Sequence, residues 1–264
     1  MKQLPDFLQP LWFLLATIII FLIVMIRYLL IAGIFYGIFY LWYPNRWAQR
    51  KVNSRNYPAG QFTTEVKWST ITTLIFALFG AATLALWQHG FIKVYTNIHA
   101  YPLWWMPISL FIALLLHETY YYWIHRWMHH PKIFKQVHKV HHDSHITSPW
   151  TAFSFHPLEG ILQALFLPLL LLVLPMHLYI LIIQLTFMTL SSVVNHLNIE
   201  VYPAKFSQHF LGKWLIGATH HSLHHKQYKY NFGLYFTFWD KWRKTESPFF
   251  EKLFEEKTKC SNNA

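Results

Sequence analysis

The segment from Leu11 to Tyr40 is almost wholly apolar, and no other feature limits the fold so strongly. It exceeds the roughly 20 residues that a helix needs to span a bilayer. Its one charge, Arg27, has to reach an interface or pair inside a bundle. Three further runs follow. Trp68 to Trp87 and Leu103 to Trp123 each read as one crossing. Ile161 to Val194 is interrupted by Pro168 and Pro175; it is too long for one crossing and short of two, and reads as a helical hairpin that does not cross fully. Several runs lack any polar face, which argues against buried helices of a water-soluble protein. Only 12% of the 264 residues are charged, against about 25% in soluble domains.

The first run is too long for the apolar core of a signal peptide, and no small-residue cleavage site follows it, so it is expected to persist as a helix. Without a Gly/Ser linker, charge block or internal repeat, residues 1–264 read as a single membrane domain. Basic residues orient it. Arg46, Arg50, Lys51, Arg55 and Lys67 separate the first two runs. Arg126, Lys132, Lys135 and Lys139 follow the third, and seven more, from Lys205 to Lys244, follow the hairpin. The loop between runs two and three carries only Lys93. All three basic segments fall on the cytoplasmic side if the first three runs cross and the hairpin returns. The expectation is an all-α integral membrane bundle of about four transmembrane segments, the last a hairpin, with a cytoplasmic histidine-rich helical cap. That places it in the endoplasmic reticulum of a eukaryote or the inner membrane of a bacterium. The formal charge of +11 suits anionic headgroups or an acidic protein partner; no nucleic-acid module is visible. Cys260 is the single cysteine, so neither a disulfide framework nor a thiolate metal site is available.

Histidine is the unusual residue, with eighteen copies. His125 and His129 form one HxxxH pair. His138, His141 and His142 form an HxxHH cluster, and His221, His224 and His225 form another. Residues three and four apart share a helix face, about 5–6 Å from each other. Imidazoles so placed grip a metal ion, and facing helices can enclose two. Imidazole suits iron, zinc and copper alike. A lone histidine at a membrane boundary is usually an anchor or a hydrogen-bonded structural residue. Three clusters on one membrane side are harder to explain that way, because burying many imidazoles without a metal costs roughly 1–3 kcal/mol for each unpaired nitrogen. His117-Glu118 invites a zinc-protease reading, which fails because HExxH needs histidine where Tyr121 stands.

These clusters resemble the three histidine boxes of the fatty acid hydroxylase/sterol desaturase superfamily. The flanks resemble it too: Tyr121-Tyr122-Trp123-Ile124 before the first box, Phe155-His156-Pro157-Leu158-Glu159 after the second, and the segment from Tyr230 to Asp240 after the third. The resemblance covers about residues 103–242. Within the superfamily, His220-His221 and the run from Tyr235 to Asp240 are most similar to the sterol 5-desaturase, or lathosterol oxidase, branch. The resemblance implies a membrane-bound enzyme that uses two non-haem iron ions and dioxygen to hydroxylate or desaturate a lipid. Electrons come from a separate carrier such as a b-type cytochrome or ferredoxin. It implies metal ligation by His125, His129, His138, His141, His142, His221, His224 and His225, with His196 as the isolated histidine between boxes two and three. Glu118, His117, His156, Glu159 and His220 are candidates to orient ligand rings. For His130, His145 and His220, ligation and orientation are equally open. Glu200 reads as a solvated loop residue, with ligand or base as alternatives. His89, His99, His177 and His209 read as interface or loop residues.

Other lipids of the same superfamily (carotenoids, sphingolipids, fatty-acyl chains) are alternative substrates. Trp104, Trp105, Phe153, Phe155 and the aromatics from Phe232 to Trp239 could line a lipid cleft or serve as interfacial anchors. A histidine-rich metal transporter is the alternative from another class. It predicts ionisable residues spread through the spans, whereas most histidines here lie beyond the apolar runs. A membrane haem protein needs opposed single histidines and does not explain the clusters. No haem, flavin or nicotinamide site is visible.

Overall fold

The computed structural model describes residues 5–259; Cys260 lies outside them. Five long helices form the body. α1 (Pro10–Tyr36) and α3 (Gln61–Gln88) pack antiparallel, joined through a π turn (Gly37–Trp42) and the short α2 (Pro44–Trp47). α4 (Trp105–Met128) runs on into α5 (Pro131–Val137) and α6 (Lys139–His142). α7 (Pro157–Val173) and α8 (Leu178–Asn195) make the hairpin, followed by α9 (Ala218–Gln227), α10 (Phe238–Arg243) and α11 (Phe250–Thr258). Pro10, Pro131 and Pro157 each open a helix, where the missing N–H costs nothing.

Three helices, among the described residues, are long and apolar enough to cross a membrane: Pro10–Trp42, Gln61–Gln88 and Leu178–Asn195. They leave Leu, Ile and Phe side chains exposed in rows, as lipid contact requires. α7 is apolar but shorter. α4, expected as the third crossing, has 24 residues, more than the 18 of Leu178–Asn195, but carries His117, Glu118, His125 and Arg126 in its second half.

The hairpin differs from expectation. Its tip strand β2 (Met176–His177) pairs in parallel with β1 (Val94–Tyr95), in the loop joining α3 to α4. It therefore runs the whole length of the body. Pro168 lies inside α7 rather than ending it, and Leu174-Pro175 makes the turn. Trp105 Nε1 donates to Pro175 O at 2.9 Å, so Trp105 clamps this end instead of lining a cleft. Trp104 is exposed there, as an interfacial anchor would be. The histidine boxes gather at the opposite end.

Candidate metal centre

Four buried carboxylates fix the loops of the histidine end, each by accepting from backbone or side-chain donors. Glu65 on α3 accepts from Gln61, Ser144 and Thr151 at 2.7 Å, from Ser148 at 3.1 Å, and from Tyr57. This anchors the segment after the second box. Glu118 on α4 accepts from the backbone of Leu234, Tyr235 and Phe236, the shortest bond being 2.6 Å to Tyr235 N. Asp240 accepts from Phe232 N at 3.0 Å and Gly233 N at 2.9 Å. Gly233 is required where these two acids grip, since a Cβ there would meet Phe236 O at 2.6 Å and Glu118 Oε1 at 2.9 Å.

Glu200 is fully buried, which corrects its reading as a solvated residue. It accepts from Tyr202 N and from Thr219 N, both at 3.0 Å, and so holds the N-terminus of α9. Negative charge there is favourable. Gly217, just before α9, leaves room for Tyr202, whose ring a Cβ would approach to 2.7 Å.

Within this frame nine histidines converge in two groups. His125, His129, His138, His142 and His224 form the first; His141, His196, His221 and His225 form the second. In each group one ring nitrogen per residue lies within 4.8 Å of the others. All are buried except His129, which is partly exposed. α4 supplies His125 and His129, α6 His141 and His142, α9 His221, His224 and His225. His138 lies at the α5–α6 junction and His196 at the end of α8.

For four of the nine rings a backbone carbonyl on the far side decides which nitrogen is bare. Backbone carbonyls only accept, so a ring nitrogen facing one must carry the proton. His125 Nδ1 donates to Phe232 O at 2.9 Å, His224 Nδ1 to Tyr230 O at 2.7 Å, His196 Nδ1 to Ser192 O at 2.7 Å and His141 Nδ1 to Ser154 O at 3.2 Å. His138 Nδ1 lies 2.8 Å from Glu159 Oε2, a close contact that lacks hydrogen-bond alignment. In the four carbonyl-bonded rings, when neutral, Nε2 is then a bare lone pair. Yet Nε2 of His125 faces Nε2 of His138 at 3.1 Å, and Nε2 of His141 faces Nε2 of His196 at 3.1 Å. Lone pairs so opposed repel unless a cation lies between them. The other contacts are similar: His129 to His224 and His142 to His224 at 3.1 Å, His196 to His221 at 2.8 Å, His221 to His225 at 3.2 Å. Two ligands about 2.1 Å from one ion are about 3.0 Å apart at a right angle and about 3.4 Å apart at a tetrahedral one. The donor set therefore fits two metal ions.

Burial, and then the neighbouring imidazoles, push His141, His142, His221 and His225 well below the usual histidine range. Burial lowers His224 to about 4, against the opposing pull of its bond to Tyr230. Neutral imidazole is the form that binds metal.

The remaining candidates do other work. Glu159 alone reaches a clustered ring directly. His117 pairs with Tyr235 Oη at 2.8 Å and stacks on Phe166. Glu118 takes backbone amides rather than an imidazole, although the strand it holds supplies Phe232 O. His156 caps α7 through Leu158 N, away from Glu159. His220 stacks on Phe250 and lies 3.6 Å from Glu246. His130, His177 and His209 likewise accept a backbone N–H two residues on, at Lys132, Tyr179 and Leu211. His145 is exposed, as are His89 and His99. The carbonyls of Ser154, Ser192, Tyr230 and Phe232 went unread, since backbone groups leave no trace in residue identity. Of the four acids holding the frame, Glu118 and Glu200 are singled out by the sequence, whereas Glu65 and Asp240 are not, although acidic residues are few.

A cavity of about 470 Å³ runs from the second group through the bundle. His196 and His221 are at one end; Trp87, Val94 and Leu178 are at the other. Phe153 and Phe155 line it as expected, whereas of the segment from Phe232 to Trp239 only Leu234 does. An open cleft of about 520 Å³ reaches the first group from outside, at His129, between Arg126, Lys229 and Arg243.

Fold and site together define a helical membrane protein with a paired all-imidazole centre. The chain belongs to the fatty acid hydroxylase family, whose model matches residues 110–245, all three boxes included. It is 30% identical to human lathosterol oxidase over 187 residues, covering 69% of this chain and 60% of that protein. Similarity to a Delta(7)-sterol 5(6)-desaturase of Gibberella zeae is 32% over 164 residues, covering 60% and 48%. One from Aspergillus fumigatus is 27% identical over 219 residues, covering 81% and 58%. The chain thus spans between about half and three fifths of these relatives' length. No solved structure matches.

Proposed function

We propose that this chain is a membrane-bound, dioxygen-dependent di-iron oxidase that hydroxylates or desaturates a lipid, with the active centre on the cytoplasmic side. The opposed bare nitrogens of His141–His196 carry this reading, because a cation between them relieves their repulsion; His125 and His138 face each other at the same 3.1 Å. Iron is the metal that the family resemblance implies, since imidazole alone suits iron, zinc and copper alike. His125, His129, His138, His142 and His224 would hold one ion, and His141, His196, His221 and His225 the other. Once bound, the iron pair supplies dioxygen activation and hydrogen removal from an unactivated C–H bond.

The protein's own residues do the rest. Phe232 O, Tyr230 O, Ser154 O, Ser192 O and Glu159 hold the rings in the ligating tautomer. The cavity keeps water away and presents a lipid carbon at His196 and His221, the positioning that such chemistry needs. Its volume lies within the range of small-molecule pockets. The basic cleft at His129 fits an acidic electron carrier, a b-type cytochrome or ferredoxin, since complementary charge steers association. The relatives' names put a sterol among the substrates to test. Transport has less support, because the cavity meets the histidines as a blind end rather than as a path of ligands.

The experiment is metal analysis and absorption spectroscopy of purified protein, with lipid analysis of cells expressing native or His141→Ala protein. Two irons per chain, no haem band, and an oxygen-dependent lipid product absent from the variant are expected. Haem, or a carefully reconstituted protein that holds no iron, would refute the reading.

A further inference from the structure

Arg27 is the one lysine or arginine, among the described residues, that lines the lipid cavity. It lies nine residues before the end of α1, about 14 Å along the axis, within the apolar span. Its Nε is buried without a hydrogen-bond partner, and no carboxylate pairs with it among the described residues. Glu65, on the facing helix α3, already accepts from five other side chains. A cation inside a span normally has a partner and marks a substrate or ion pathway.

The position along the cavity matters. Neighbouring Tyr28 stacks on Phe153 at 5.0 Å, and the ring of Phe155 is 5.1 Å from that of His141. Arg27 thus belongs to the metal half of the cavity. The opposite half, closed by Trp87, Val94 and Leu178, is apolar.

We propose that Arg27 binds the carboxylate of a long-chain lipid acid, whose tail lies toward Trp87 and whose carbons nearest the head face His196 and His221. The inference rests on the reading of this cavity as the lipid site. A guanidinium presents N–H groups in a fork that matches a carboxylate bidentately. A neutral hydroxyl would leave its charge uncompensated in an apolar enclosure.

The test uses purified full-length protein in nanodiscs, with and without bound iron, titrated with palmitate, methyl palmitate and a 3β-hydroxysterol. Palmitate is expected to bind at least about tenfold more tightly than its ester, as for one lost charge-assisted pair. Arg27→Leu brings palmitate down to the ester's affinity and leaves the ester unchanged, which also shows that the cavity is intact. Arg27→Lys keeps part of the preference. Equal binding of acid and ester by the native protein overturns the proposal. So does a preference that survives Arg27→Leu, or sterol binding tighter than palmitate in both proteins. If Arg27→Leu fails to fold, the native acid-to-ester ratio and Arg27→Lys still decide. Because binding is read without activity, an oxidase reading lost on metal analysis leaves this result standing.

Discussion

Four imidazoles of the centre are each set by one backbone carbonyl behind them, and a fifth, His138, has a carboxylate there. Among the described residues Glu159 is the only side chain placed behind a ring, 2.8 Å from His138 Nδ1. Glu159→Gln keeps the shape and replaces one carboxyl oxygen behind the ring with an amide group that only donates. Metal affinity is expected to fall by about 10–100-fold, read by competition with a chelator. Unchanged affinity would show that ring packing alone orients His138. This residue was legible in the sequence because it stands in a recognisable segment next to a box. Glu200 was not: its position resembles a surface loop until α9 folds back and offers Thr219 N. Nor was the division of the nine converging histidines into a group of five and a group of four. A histidine before a helix-opening proline, as in His130-Pro131 and His156-Pro157, carries a capping signal that was open to reading.

At the scale of elements, apolar length predicted α1, α3 and the hairpin, because a bilayer demands it of any sequence. The extent of the hairpin escaped, since Pro168 looked like an interruption. Inside a helix proline costs one hydrogen bond and a kink, and neighbouring helices can absorb both. Glu65 shows what joins a spanning helix to the metal end. It ties α3 to Ser144, Ser148 and Thr151, just beyond His142. Glu65→Ala leaves several buried donors without an acceptor, at about 1–3 kcal/mol each before water relieves some. Thermal unfolding in detergent should shift down, with a larger fraction of protein failing to hold metal. A variant as stable as the native chain, and metallated like it, would mean that this network is dispensable.

Over the whole molecule the two ends differ in kind. One joins α3–α4 to the hairpin tip near Lys93; the other holds every box and most of the basic residues. In a Cys260→Ser background, single cysteines at Lys93 and Lys226 should react with a membrane-impermeant reagent from opposite sides of sealed vesicles. Labelling of both from one side would contradict the orientation read from charge.

The sequence by itself determined that lipid is this chain's solvent, which end is basic, and which histidines belong to clusters. Length, charge and spacing are local, and they survive in any fold the chain could adopt. Only the tertiary structure decided how nine rings divide between two sites, which nitrogen of a ring is bare, and that Arg27 looks into a cavity without a protein anion. Those outcomes depend on carbonyls and helix faces brought together from distant positions, such as Phe232 O behind His125.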